Sequence, residues 1–322
     1  MDRWVWGAAG TLAGVVGLAV AASAYMAHRI TRPRPLAHAP GREVGTLIDD
    51  VRFRTADGVT LHGWYFGHPT PKAALALGHG FGMTRADLID LARALRDLGY
   101  AVLLFDFRAH GGSEGRRSTI GHHEARDMVA AARALRRRPE LADCRIGALG
   151  MSMGATAAIV AAAHEPLIEA VVADSAFASL DSIVAGGLRL LYRLPAFPLA
   201  PLIVRCGEAL VGARIGENRA IEHIARLAPR PLLLIHGDRD RLVPVADAHA
   251  LHAAAGHPKD LWIAPDTGHA RACTRHHDEY LARVDRFLAD ALVAPHIAPG
   301  EVRAAVAAAR SYATSANAAV LE

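Results

Sequence analysis

The stretch GALGMSMGATAAIVAAA, residues 147–163, places one serine between two glycines directly after a short apolar run. The run predicts a buried strand, and the alanine-rich residues after Ser152 predict a helix that packs close to a sheet. A nucleophile elbow needs this strand–turn–helix setting, with Gly150 and Gly154 leaving room for the tight turn. A serine that caps an ordinary helix shares the local pattern, so partners elsewhere must distinguish the two interpretations.

Two later segments supply candidate partners for Ser152. LLLIHGDRDRLVP, residues 232–244, offers Asp238 and Asp240 just after a predicted strand, and His269 follows the last predicted strand. A serine nucleophile needs a histidine base and an acid that orients the histidine, and the order Ser, Asp, His is one in which triads occur. Spacing alone leaves both aspartates open as the acid.

Short apolar runs alternate with helical patterns along most of the chain. The segment 51–66 has two alternating runs around ADG, which predicts a hairpin. Later runs lack polar alternation, as do strands buried on both faces of a parallel sheet. We therefore expect an α/β fold with a mostly parallel central sheet flanked by helices.

A glycine-rich loop, LGHGFGM at residues 77–83, follows an early predicted strand. Its glycines allow a backbone N–H to face a reacting carbonyl oxygen, and His79 and Gly80 lie within it. We expect the N–H groups of Phe81 and Met153 to form an oxyanion hole.

Together these motifs make the chain similar to the α/β-hydrolases of the serine-hydrolase group. Within that group it resembles the membrane-anchored BEM46/ABHD13-like and YqkD-like proteins and the serine aminopeptidase-like superfamily. The resemblance covers residues 50–290 and rests on seven segments: TADGVTLHGWYF, GHGFG, LLFDFRAHGGSEG, GMSMG, ADSAF, HGDRDRLVP and TGHA.

The resemblance implies roles that spacing does not give. The family pattern H-G-x-x-D-x-x-V-P selects Asp240 over Asp238 as the acid. The family loop D-x-R-x-x-G-x-S implies that Asp106 and Arg108 are structural, and we expect them to form an ion pair. Ser152 would attack an acyl carbonyl, with His269 taking its proton and Asp240 stabilising the imidazolium.

The N-terminus predicts a membrane anchor over residues 1–29. Residues 4–27, WVWGAAGTLAGVVGLAVAASAYMA, carry no charge and are long enough to span the hydrocarbon core. The arginines after the span outnumber the single Arg3 before it, which favours a cytoplasmic catalytic domain. The alternative is a signal peptide cleaved near ASA at residues 22–24, followed by export.

The remaining boundaries follow from composition. We expect a Pro-rich linker over 30–43, a hydrolase domain over 44–294, and an Ala-rich C-terminal helix and tail over 295–322. Within the domain, residues 177–228 interrupt the strand–helix rhythm with apolar, Pro-punctuated helical sequence. We interpret this insertion as a lid over the site, the alternatives being extra packing layers or a membrane-contacting surface.

Composition argues against several other classes. The net charge of +4 comes with no basic patch interleaved with aromatic residues, so we expect no nucleic-acid partner. The three cysteines are widely spaced, and the sequence contains no H-E-x-x-H motif. We therefore expect no metal site and no cofactor. The histidine pairs at 122–123 and 276–277 are interpreted as solvated helix starts.

These observations predict a membrane-anchored serine hydrolase that cleaves a carboxylic ester or thioester. The anchor and the apolar insertion favour acyl-lipid or lipidated substrates, with membrane lipid as the partner. A serine peptidase or an acyltransferase would use the same triad. A non-catalytic ligand-binding membrane protein is the non-enzyme alternative.

Overall fold

The protein is described from a computed structural model that covers residues 2–33, 48–217 and 219–293, with side chains from residue 13 onward. The chain divides into two units, Met1–Leu292 and Val293–Glu322. The predicted tail and most of the predicted linker lie outside the described residues.

An eight-stranded, mostly parallel sheet forms the centre of the first unit and confirms the predicted fold class. The strand order is β1-β2-β4-β3-β5-β6-β7-β8, in which β2 is antiparallel to both β1 and β4 and all neighbours from β4 to β8 are parallel. The predicted hairpin is the β1–β2 pair. The strands are β1 Ile48–Arg54, β2 Thr60–Phe66, β3 Ala74–Gly78, β4 Ala101–Phe105, β5 Ile146–Met151, β6 Ile168–Asp174, β7 Leu232–Gly237 and β8 Lys259–Ala264.

Ten α-helices lie in the described residues. They are α1 Asp2–Thr31, α2 Ile89–Asp97, α3 Glu124–Arg136, α4 Met153–His164, α5 Leu180–Gly187, α6 Leu199–Val211, α7 Ala220–His223, α8 Val245–Ala254, α9 Ala272–Arg275 and α10 His277–Leu288. A π-helical turn, Leu188–Tyr192, continues α5.

The sheet has a separate apolar core on each face. One core includes α3 and α4, and the other includes α2 and α10. Strands β3, β4, β5 and β7 are buried along their whole length because helices cover both faces. This layering leaves the carboxyl ends of the parallel strands as the edge where functional loops meet.

The insertion between β6 and β7 forms a third apolar cluster above that edge. The insertion includes α5, α6 and α7, and the buried side chains of the cluster, such as Leu180, Val184 and Ile203, come mainly from α5, α6 and the turns that follow them. Ala27 of α1 belongs to the same cluster. The predicted helical insertion is therefore present; its movement as a lid remains a prediction.

The helix α1 runs two residues past the predicted end of the anchor. Its segment Ala13–Thr31 is long and apolar enough to cross a membrane, with a mean hydropathy of 1.3. Only 11% of that apolar window is buried, whereas a core helix of a globular domain would be mostly buried. Length and composition thus make α1 a candidate membrane span.

Candidate active site

Ser152 occupies a strained turn between β5 and α4. Its backbone has φ +52° and ψ −113°, a conformation that costs free energy for a non-glycine residue. A Cβ on Gly150 would overlap the backbone of Gly154, and a Cβ on Gly154 would overlap the carbonyl oxygen of Gly78. Only glycine fits at either position, so these backbone contacts hold the elbow.

The loops after β7 and β8 bring Asp240 and His269 to Ser152. The His269 Nε2 atom lies 2.8 Å from Ser152 Oγ, and its Nδ1 lies 2.7 Å from Asp240 Oδ2. Asp238 is exposed and accepts the Thr267 backbone N–H instead. The geometry therefore brings Asp240, and not Asp238, to the histidine, in agreement with the motif-based choice.

Backbone donors fix the Asp240 carboxylate. Its Oδ1 accepts the N–H groups of Leu242 and Val243 at 2.9 and 2.8 Å, and its side chain is fully buried. With Oδ1 so occupied, Oδ2 accepts the Nδ1–H of His269, which leaves Nε2 as the acceptor for the serine hydroxyl. The arrangement can deprotonate Ser152 and return the proton to a leaving group.

The glycine-rich loop after β3 lies against this group. Phe81 and Met153 line the same cavity as Ser152 and His269. Met153 is the first residue of α4, so its N–H has no carbonyl partner within the helix. The position suits the expected oxyanion donor, and the role of both N–H groups stays a prediction.

Two buried histidines hold the glycine-rich loop. The His79 Nε2 accepts the Phe107 N–H at 3.1 Å, so Nδ1 carries the proton that is donated to the Gly80 carbonyl at 2.7 Å. Burial lowers the pKa of His79 to about 3, so the ring is neutral. The second is His110, which was not predicted from the sequence and whose Nε2 accepts the Gly82 N–H at 3.3 Å.

The expected Asp106–Arg108 ion pair is wrong. Asp106 is fully buried and pairs with Arg85, both through the guanidinium and through the backbone N–H at 2.6 Å. Arg108 instead contacts Asp127 on α3 at 2.6 Å and Asp57 in the β1–β2 turn at 2.8 Å. Each charge thus finds its partner in a distant segment, which the local D-x-R spacing does not reveal.

A second polar link, also missed, joins the elbow to the histidine loop. The Ser175 hydroxyl accepts the Ala270 N–H at 3.0 Å and donates to Asp174 Oδ1 at 2.9 Å. The Asp174 carbonyl accepts the Ser152 N–H at 2.8 Å. Burial raises the pKa of the Asp174 carboxyl to about 6. The ADS segment at the end of β6 was the available signal, because it ends beside the elbow.

The interpretation of the two histidine pairs as solvated helix starts is wrong for three of the four residues. His122 and His123 are half-buried, each with its Nδ1 buried and without a hydrogen-bond partner among the described residues. His276 binds the Pro265 carbonyl at 2.9 Å, and only His277 is exposed. Within the described ranges, no group of three or more His, Cys, Asp or Glu is placed to hold a metal ion.

Above the triad lies a mainly apolar cavity of about 310 Å³. The insertion supplies much of its lining through α5, the π-helical turn and α6. Its lining residues include no Asp or Glu. Such a cavity fits an apolar substrate group whose reactive end lies at Ser152.

Comparison with known proteins places the chain among the α/β-hydrolases. A family described as serine aminopeptidase, S33, matches residues 69–205. The Pyrococcus furiosus esterase Pf2001 is 30% identical, with a TM-score of 0.69, covering 82% of this chain and 99% of that one. The Penicillium hydrolase GrgF, at 21% identity and a TM-score of 0.63, covers 76% of this chain and 99% of its own, and shows the fold alone.

Close sequence relatives define the family more narrowly. YqkD of Bacillus subtilis is 32% identical over 237 residues, which make up 73% of this chain and 77% of YqkD. Rv2307c of Mycobacterium tuberculosis is 35% identical over 222 residues, 68% of this chain and 72% of that protein. The chain belongs to the α/β-hydrolase family of YqkD and Rv2307c, and its fold and family make it a hydrolase.

Proposed function

We propose that this protein is a membrane-anchored serine hydrolase that cleaves carboxylic ester or thioester bonds of acyl lipids or lipidated substrates. The observation that carries the proposal is the hydrogen-bonded chain from Asp240 through His269 to Ser152, which opens into an apolar cavity. The 30% identical Pyrococcus protein is described as an esterase, which agrees with this chemistry.

The reaction proceeds in two balanced steps. In the first, Ser152 Oγ bonds to the acyl carbon, its proton moves to His269 Nε2, and the leaving alcohol or thiol departs with that proton. In the second, His269 deprotonates water, the water oxygen bonds to the acyl carbon, and Ser152 regains its proton as the acid leaves. The N–H groups of Phe81 and Met153 stabilise the oxyanion in both steps.

A peptidase is the second candidate, favoured by the family description. An aminopeptidase binds a positively charged α-amino group, which carboxylates usually recognise. The described lining of the cavity instead carries Arg29 and no Asp or Glu. A cation beside the site disfavours an amino terminus there, so the ester or thioester is the better match.

The membrane location is supported by α1. The helix continues without a break through ASA at residues 22–24, and Ser23 and Ala27 are buried against the domain. Cleavage at ASA would remove part of a packed interface, which favours an uncleaved anchor. The arginines after the span favour a catalytic domain on the cytoplasmic side. A reporter fused to the C-terminus and active only in the cytoplasm tests this orientation.

Labelling with a fluorophosphonate probe tests the nucleophile. The probe phosphorus bonds to an activated serine oxygen as fluoride leaves, so the full-length protein in detergent should be labelled and Ser152→Ala should not. Ser182→Ala is a matched control, since Ser182 lies outside the triad in α5. Equal labelling of wild type and Ser152→Ala would overturn the proposal. A panel of esters, thioesters and aminoacyl amides then identifies the bond that is cleaved.

A further inference from the structure

The end of α1 is part of the catalytic unit. Ser23, Ala27 and Thr31 are fully buried at intervals of four residues, which places them on one face of the helix. This face packs against α6, where Gly207 lies close to the Thr31 methyl group. The small side chains on both helices allow this close approach.

Hydrogen bonds fix the same end of α1 to the loop that follows β4. The Thr31 carbonyl accepts the Ser118 N–H at 2.8 Å, and its hydroxyl accepts a guanidinium N–H of Arg117 at 3.0 Å. A helix that served only as a tether would need no such contacts. These bonds set both the position and the rotation of α1 about its axis.

The rotation turns three α1 side chains into the cavity above Ser152. Met26, Arg29 and Ile30 line it, with Met26 and Ile30 one turn apart beside the buried face. The cavity is shared with Ile183 and Leu188 of the insertion. The residues of α1 thus face the space that an acyl group attached to Ser152 would fill.

Helix length places this wall beside the membrane. Because α1 is docked on the domain from Ser23 onward, the part left to cross the membrane is Trp4–Ala22 rather than Ala13–Thr31. Its 19 residues extend about 28 Å at 1.5 Å per residue, close to the roughly 30 Å thickness of the hydrocarbon core. The docked face begins at the next residue, Ser23. Met26 follows about 5 Å further along the axis, so the cavity opens close to the lipid headgroups.

The segment Leu188–Phe197, here termed the lid tip, exposes apolar side chains next to the same cavity. Leu191 is 70% exposed and Phe197 80% exposed, and both Leu191 and Tyr192 also line the cavity. Such exposure of large apolar groups is unfavourable in water and typical of membrane contact. Two exposed arginines of the lid tip, Arg189 and Arg193, suit anionic headgroups.

We propose that the last three turns of α1 form a wall of the acyl-binding pocket, and that acyl chains enter it from the bilayer between α1 and the lid tip. This inference rests on the proposed serine hydrolase. The anchor is then a determinant of specificity as well as of location. The partner is a lipid surface, and the chain bound to Ser152 lies along Met26 and Ile30.

The first test fills the pocket from α1. Ile30→Trp should lower the ratio of kcat/KM for a C16 ester to that for a C4 ester by roughly 10–200-fold, the range for changes of apolar pocket shape. Leu18→Trp is the matched control, because Leu18 lies on α1 and is 73% exposed away from the cavity. If Ile30→Trp and Leu18→Trp have the same chain-length profile, α1 is not a wall of the site.

The second test concerns the route from the bilayer. Phe197→Asp should reduce hydrolysis of a C16 ester embedded in phosphatidylcholine–phosphatidylglycerol vesicles by about 10-fold or more, with little effect on a soluble C4 ester. Leu210→Asp is the control, since Leu210 is an exposed apolar residue of α6 outside the lid tip. Equal vesicle rates for the two variants would show that substrates arrive from solution.

Fluorophosphonate labelling of each variant separates the two proposals. Normal labelling with an unchanged chain-length profile overturns only the role of α1. Absence of Ser152-dependent labelling in the wild type overturns the serine hydrolase and this inference with it. Normal labelling together with a preference for shorter acyl chains in Ile30→Trp supports both the serine hydrolase and the role of α1.

Discussion

The strained turn at Ser152 and the wall that α1 and the insertion form face the same cavity, yet they are built differently. At the elbow, backbone atoms approach so closely that Gly150 and Gly154 admit no side chain. In the neighbouring loop after β7, both carboxylate oxygens of Asp240 have hydrogen-bond partners. The wall consists mainly of apolar side chains, several of them exposed, together with Arg29. Backbone packing thus fixes the position of Ser152, whereas replaceable side chains shape the cavity above it.

The largest expected effect is a difference in kcat between variants of Asp240 and Asp238, the two aspartates of the loop after β7. Asp240→Asn should lower kcat by about 10⁴-fold, because the amide no longer holds His269 in the tautomer that accepts the serine proton. Asp238→Asn should change kcat less than about 10-fold, since Asp238 is exposed and its carboxylate accepts the Thr267 N–H rather than contacting His269. Ester hydrolysis at saturating substrate measures both. Similar losses in the two variants would refute the assigned acid.

The buried ion pair of Arg108 with Asp127 should contribute strongly to the free energy of unfolding. Arg108→Met leaves the buried Asp127 carboxylate without its guanidinium and should destabilise the fold by about 3–5 kcal/mol. Arg145→Met breaks the half-exposed pair with Glu169 and should cost less than about 1 kcal/mol. Urea unfolding in detergent measures the difference. Equal losses of unfolding free energy in Arg108→Met and Arg145→Met would mean that the buried ion pair contributes no more to stability than the exposed one.

The burial of Asp174 predicts that the stability of the fold depends on pH. Its pKa of about 6 exceeds the ordinary 3.8, so the native protein binds the proton more tightly than the unfolded chain does. The free energy of unfolding therefore falls by roughly 3 kcal/mol as the pH rises from about 4 to about 6. Above about pH 6 the contribution of Asp174 no longer changes with pH. Asp174→Asn should remove this loss of stability, because the amide does not titrate in this range.

Unfolding free energies of Asp174→Asn and wild type at pH 4 and pH 7 measure this effect. The variant should gain stability relative to wild type as the pH rises. Asp143→Asn controls for net charge, because Asp143 is exposed. A difference that is independent of pH would show that Asp174 does not titrate as its burial implies.

The smallest expected effect compares two adjacent glycines at the end of α5. Gly187 has helical dihedral angles, and a Cβ there meets no atom within 4 Å. Gly187→Ala should stabilise the fold by about 0.5–1 kcal/mol through helix propensity. Gly186→Ala should destabilise it, because its Cβ would overlap the Leu242 carbonyl. Thermal unfolding distinguishes them, and a gain in both variants would show that the wall has no tight backbone contact.

Much of the fold and of the site could be predicted because the signals are local. Buried strands appear as apolar runs, and loops after parallel strands meet at one edge, so Ser152, His269 and the pair Asp238 and Asp240 could be brought together before their distances were known. The choice of Asp240 came from the family resemblance and not from local spacing. The error at Asp106 and Arg108 has the opposite cause. Their partners, Arg85, Asp57 and Asp127, come from other segments, and no local spacing encodes them.

The role of α1 could not be predicted for a similar reason. Hydropathy reports that a segment is apolar, but a membrane span and a pocket wall both satisfy that condition. Only the packing of Ser23, Ala27 and Thr31 against the insertion shows which side chains turn toward the cavity. Similarly, the links made by His110 and Ser175 depend on loops that meet in space.

The sequence by itself determined the order of strands and helices along the chain, the elbow and the positions of Ser152 and His269, because strand burial, helix periodicity and turn glycines act over a few residues. The choice of Asp240 as the acid needed the family motif as well. The tertiary structure alone decided which charges pair, which histidines are buried and which face of α1 meets the site. Those outcomes depend on the desolvation of groups that are far apart in sequence, and only the folded chain specifies their neighbours.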